Sequence, residues 1–124
     1  MNENAGKAAP YQVLNLAGAI EFLGDEQAVS DLLQPLVTSL SSDIGEVERL
    51  LLTGDLPAIA RTLHSLKGFI PVFCYAEFAA QLVDTEKRIR GDNSPQMHAQ
   101  VQALLQPLRQ LVQESNSFLQ QAGG

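Results

Sequence analysis

The stretch LLLTGDLPAIARTLHSLKGFIP, residues 50–71, holds a helix stop, a helix start and an amphipathic run in immediate succession. Gly54 can close one helix, because glycine takes the left-handed backbone of a C-terminal cap without strain. Asp55 can open the next by accepting a backbone N–H on its carboxylate, and Pro57 is tolerated in the first turn, where its missing N–H is not needed. Leu56, Ile59, Ala60, Leu63, Leu66 and Ile70 then recur at helical spacing and define one apolar face. Pro71 is expected to end or bend this helix. A link as short as TGD favours antiparallel neighbours.

The flanking sequence repeats the pattern. On the N-terminal side, Val29, Leu32, Leu33, Leu36, Leu40, Ile44, Val47 and Leu51 hold a helical stripe from Asp25 to Thr53, with a kink or short break expected near residue 34 because of Pro35. Before it, Val13, Leu16, Ile20 and Leu23 predict a first short helix closed by Gly24. On the C-terminal side, Phe78, Leu82 and Ile89 predict a fourth helix ending at Gly91. Val101, Leu104, Leu105, Leu108, Leu111, Val112 and Phe118 predict a fifth, started by Ser94 and Pro95 and bent at Pro107. No strand alternation or fixed repeat interrupts them. The expected fold is all-α, an up-and-down antiparallel four-helix bundle over residues 11–120 with an additional short N-terminal helix. Residues 1–10 are expected to be disordered or loosely docked, and 121–124 to fray.

The chain has 124 residues, enough for one domain to bury a core without metal or disulfides. Its formal net charge of -6 argues against phosphate backbones and anionic membranes as partners. Cys74 is the single cysteine, which excludes an internal disulfide and points to a reducing, cytoplasmic setting. It reads as a small buried hydrophobe. Nothing in the sequence suggests a signal peptide or membrane span, although the segment could be the cytoplasmic tail of a membrane sensor. Two histidines and no acidic cluster at ligand spacing give no zinc or calcium site.

His64 is expected at the edge of the apolar stripe, within reach of solvent. Arg61, Lys67 and Gly68 lie three or four residues from it and share its side of the helix. Glycine in a helix interior costs roughly 0.5–1 kcal/mol against alanine, so Gly68 calls for a reason. An exposed imidazole is nucleophilic when neutral. With a cation to offset added negative charge and a gap that admits another macromolecule, it suits a histidine that is itself modified. His98 has no such surroundings and reads as solvated or packing between helices. Asp84 and Glu86 read as solvated, and Lys87, Arg88 and Arg90 as cations favoured at a helix C-terminus.

LHSLKG (63–68), followed by apolar residues and AEFAAQLVDTE (76–86), resembles the signature of histidine phosphotransfer (HPt) domains, the helical carriers of phosphorelays. His64, Lys67, Gly68, Leu82 and Glu86 match, and LLLTGDLPAIARTLH resembles the usual lead-in. The resemblance implies that His64 takes a phosphoryl group from the aspartyl phosphate of one receiver domain and passes it to the aspartate of another. Lys67 would hold the phosphoryl group and Gly68 would let the receiver approach, with Arg61 and Phe69 in the contact. It further implies a phosphocarrier without kinase activity of its own. Such a carrier binds no cofactor, relies on magnesium held by the receiver, and stands alone or ends a hybrid sensor kinase. A monomer is expected.

The chain departs from the family pattern at Phe69 and Pro71, where small residues are usual, and at Cys74, where a second glycine is usual. These changes are expected to act on partner choice. The competing expectation is a helical interaction module that binds a receiver without phosphotransfer.

Overall fold

A computed structural model describes residues 11–123, whose regular elements are all helices. The order is α1 (Leu16–Leu23), α2 (Glu26–Thr53), α3 (Leu56–Leu66), α4 (Ile70–Phe73), α5 (Ala76–Ile89) and α6 (Pro95–Gly123). The expectation for residues 1–10 lies outside the described residues. The long helices α2 and α6 pack on each other, α3 packs on α2 and α5, and α5 returns to α6. Between them lies a core of Val29, Leu33, Leu40, Val47, Ile59, Leu63, Leu66, Leu82, Val101, Leu104, Leu108 and Leu111. The short helix α1 rests on α2 and α4.

The caps read from the sequence are in place. Ala28 N–H donates to Asp25 Oδ1 at 2.8 Å to open α2, and Ala58 N–H donates to Asp55 Oδ1 at 3.1 Å to open α3. Gly54 stops α2 at φ 75°, a left-handed backbone. There Asp55 N–H reaches back to the Leu50 carbonyl at 3.1 Å.

The long helices carry their prolines without a break, so of the kink or break expected near residue 34 the break does not occur. α2 runs unbroken through Pro35 and α6 through Pro107. The carbonyl that each proline leaves without a partner belongs to Asp31 or Ala103, both exposed, so water can take the place of the lost N–H. Pro71 acts sooner than expected. α3 ends at Leu66, before Ile70, and a helix continued through Pro71 would crowd its ring against the Lys67 carbonyl. The chain instead tightens into a turn, with Gly68 N–H on the Ser65 carbonyl and Phe69 N–H on the Leu66 carbonyl. Ile70–Phe73 then forms the single turn α4.

The other difference is at the start. Residues 11–15 do not join the first helix, which begins at Leu16 with Gly18 N–H on Asn15 Oδ1 at 3.0 Å. They run as a strap whose backbone is claimed from outside. Gln12 N–H donates to Glu114 Oε2 at 2.8 Å, while Val13 and Leu14 N–H both donate to Glu114 Oε1 at 2.9 Å. On its other side the strap pairs Leu14 with Cys74, through Asn15 N–H on the Phe73 carbonyl and Tyr75 N–H on the Val13 carbonyl. Helical spacing of Val13 and Leu16 could not reveal this, because the acceptor is on α6.

Burial pushes the Glu114 carboxyl up, but the backbone donors and Gln110 outweigh it and hold it below the ordinary value of 4.5. A carboxyl that is more acidic when folded stabilises the fold fully above its unfolded value and loses that contribution as pH falls through its folded value. Glu114→Ala should therefore cost about 2–4 kcal/mol at neutral pH, since three N–H groups lose a charged acceptor. Urea unfolding of the two proteins should give curves that separate at pH 7 and converge on acidification below 4.5.

Candidate functional site

His64 lies in the last turn of α3, with Leu63 and Leu66 buried on either side and its own ring turned outward. Its side chain is 60% exposed. The early end of α3 makes Lys67 the C-cap, and the lysine side chain crosses to α5. There its Nζ meets Glu86 Oε1 at 3.1 Å.

Glu86 is where the structure overturns the sequence reading. The residue was expected to be solvated, yet its side chain is only 3% exposed. On α5 it follows Leu82 by four residues and precedes Ile89 by three, which places it on the buried face with Phe78 and Thr85. A carboxylate in that position must be paired. Lys67 holds Oε1, and Arg90, one turn on along α5, holds Oε2 through its Nε. The same Oε2 lies 3.6 Å from His64 Nδ1. Burial raises the Glu86 carboxyl, but hydrogen bonds and charge from Arg90 and Lys67 prevail and hold it below the ordinary carboxylate value.

Arg90 is the residue that sequence reasoning missed. It was assigned to the helix end, yet its Nη2 also comes within 3.4 Å of His64 Nδ1. The signal was present as a pair, because Glu86 and Arg90 are four apart on one helix and Glu86 falls on its apolar stripe. Its neighbour Arg88 pairs instead with Asp84 at 2.9 Å, outside the cluster.

His64, Lys67, Val83, Glu86, Lys87 and Arg90 line a shallow open cleft of about 370 Å³. Gly68 is exposed in the turn after Lys67. A Cβ there would sit 3.3 Å from the Ser65 carbonyl oxygen, a tight contact, and any longer side chain would stand on the surface beside the cleft. Phe69 is half-buried, its ring edge-to-face with Phe73 at 6.4 Å between centroids. Arg61 is exposed one turn before His64. His98 is apart from the cluster, half-buried between α2 and α6 beside Gly54. The Cys74 thiol is buried, and burial together with the negative Glu114 pushes it up to about 12, so it is not a ready thiolate.

The arrangement combines an accessible imidazole with a buried carboxylate on its Nδ1 side and two half-exposed cations. It can hold a ring in orientation and offset negative charge at its outer nitrogen. Among the described residues no group of three or more His, Cys, Asp and Glu side chains is placed to hold a metal ion, and no helix is long and apolar enough to cross a membrane. Compared with family models, curated proteins and solved structures, the chain matches none.

Glu86→Gln should cost about 1–3 kcal/mol at neutral pH, less than a fully sealed ion pair because Lys67 and Arg90 reach water. The sign follows that of Glu114: the folded carboxyl is the more acidic, so its contribution is whole above the unfolded value and fades as pH falls through the folded one. Unfolding measured across that range should show the wild-type advantage shrinking in acid.

Proposed function

We propose that the chain is a histidine phosphotransfer domain, folded as an up-and-down antiparallel four-helix bundle with a short added N-terminal helix, and that His64 carries the phosphoryl group. The observation that carries the reading is the placement of the His64 ring, exposed in the last turn of α3 with the buried Glu86 carboxylate 3.6 Å from its Nδ1. A ring whose Nδ1 side faces Glu86 and Arg90 presents Nε2 to a partner.

With its proton on Nδ1, a neutral imidazole has its lone pair on Nε2. That pair attacks the phosphorus of an aspartyl phosphate on a receiver domain. The N–P bond forms, the P–O bond to the acyl oxygen breaks, and its electron pair leaves on the receiver carboxylate. The ring gains positive charge, which Glu86 offsets from the Nδ1 side, while Lys67 and Arg90 offset the phosphoryl oxygens. The reverse steps deliver the group to a second receiver. Magnesium bound by the receiver supplies the remaining charge stabilisation on the acyl phosphate.

Charge supports the choice of partner. Five of the eight cations, Arg61, Lys67, Lys87, Arg88 and Arg90, fall between residues 61 and 90 of a chain whose formal net charge is -6. That local excess on α3 and α5 fits the acidic, metal-binding mouth of a receiver. Phe69 packs on Phe73 and leaves the cleft open, which supports transfer over the alternative of a module that binds without it.

Mixing the chain with a radiolabelled phospho-receiver and magnesium should move acid-labile, alkali-stable label to the wild type and not to His64→Gln. Label on the variant would remove His64 as the carrier, and binding without label on the wild type would favour the interaction module. Lys67→Ala should slow transfer about tenfold or more, the loss of roughly one charged hydrogen bond in the transition state. Gly68→Gln should slow transfer from the receiver at least about tenfold on the same scale. It should leave the reaction of His64 with the small donor phosphoramidate unchanged, because only a large partner meets the new side chain.

A further inference from the structure

We propose that Arg90 is a latch that holds His64 in a resting, non-nucleophilic tautomer until an anion draws it away. The contact that assigns this is Arg90 Nη2 at 3.4 Å from His64 Nδ1. A guanidinium has only N–H donors and keeps its charge, so Nδ1 must be the acceptor. In a neutral ring the proton is then on Nε2. Neither nitrogen is free in that arrangement, because Nδ1 offers its lone pair to Arg90 and Nε2 has none to offer. Glu86 Oε2, at 3.6 Å, is close to Nδ1 without being bonded to it.

Arg90 is the member of the cluster best placed to move. Its side chain is 53% exposed, and Glu86 has a second partner in Lys67, bonded at its other oxygen. A phosphoryl group entering the cleft offers the guanidinium a more highly charged partner than a shared carboxylate. When Arg90 turns toward it, Nδ1 can take and keep a proton from water, donating a hydrogen bond through it to Glu86 Oε2, while Nε2 gives its proton to water. The ring stays neutral, and its lone pair now faces the phosphorus. The incoming anion thus arms the nucleophile that it meets, and solvent meets an imidazole with no free lone pair.

The purpose of the latch rests on the phosphotransfer reading, but its test reads only the ring. Nitrogen-15 NMR of the imidazole, at a pH where it is neutral, distinguishes the two tautomers by which nitrogen carries the proton. Wild type should be mainly the Nε2–H form. Arg90→Ala should shift the ratio toward Nδ1–H by about tenfold, the worth of one charged hydrogen bond lost and another gained. Inorganic phosphate added to wild type should move it in the same direction and have little effect on Arg90→Ala. Arg88→Ala, which removes a cation from the same stretch of α5, should leave the ratio unchanged.

A wild-type ring already in the Nδ1–H form, or a ratio that Arg90→Ala does not alter, overturns the latch. So does an equal response to Arg88→Ala, which would reduce the effect to general charge. Label transfer without a tautomer shift removes the latch alone. A shift without label transfer keeps the latch and removes the carrier reading.

Discussion

A carboxylate on the buried face of a helix has to be satisfied, and the arrangement around His64 follows from that demand. Glu86 takes a position on α5 that the periodicity reserves for an apolar side chain. Left unpaired there, an ionised carboxylate would cost several kcal/mol in lost hydration. Two cations meet the demand from different directions, Lys67 from the end of α3 and Arg90 from the next turn of α5. The packing of α3 on α5 and the charge pattern of the cleft are therefore one feature. Bringing Lys67 to Glu86 fixes the end of α3, and this sets the His64 ring within reach of both Glu86 and Arg90.

Glu114 solves a similar problem with backbone donors in place of side chains. Its carboxylate gathers the N–H groups of three successive residues and so replaces the hydrogen bonds that a helix would have given residues 11–15. The strap it holds is paired through Leu14 to Cys74, at the point where α4 hands over to α5. The strap and the link from Gly68 to Tyr75 are thus anchored to each other, and the strap to α6. Cys74 gains its place here as a small buried side chain with a backbone partner, which accounts for its being neither exposed nor acidic.

Much of the helical pattern was legible because its signals are local. Asp25, Gly54 and Asp55 act within four residues of themselves, and the stripes of α2, α3, α5 and α6 repeat over several turns. The strap was not legible, since Glu114 lies about a hundred residues from its donors and nothing near Val13 signals it. Half of the cluster was legible. His64 and Lys67 stood out against an apolar stripe, but Glu86 was read by its chemistry as solvated when its spacing from Leu82 and Ile89 placed it inside. Arg90 was read by position as a helix-end cation, and that assignment overlooked the buried acid one turn before it.

The early stop at Leu66 connects these observations to the proposed function. Had α3 continued to Ile70, Lys67 and Gly68 would be interior helix positions, with the lysine fixed on one face and the glycine a cost without return. Pro71 disfavours this by crowding the Lys67 carbonyl. The chain must then turn, and the turn releases Lys67 to reach Glu86 and leaves Gly68 on the surface beyond the ring. A proline that departs from the expected family pattern is thereby compatible with the cleft. It acts on the geometry of the turn next to His64 and leaves His64 itself on regular helix.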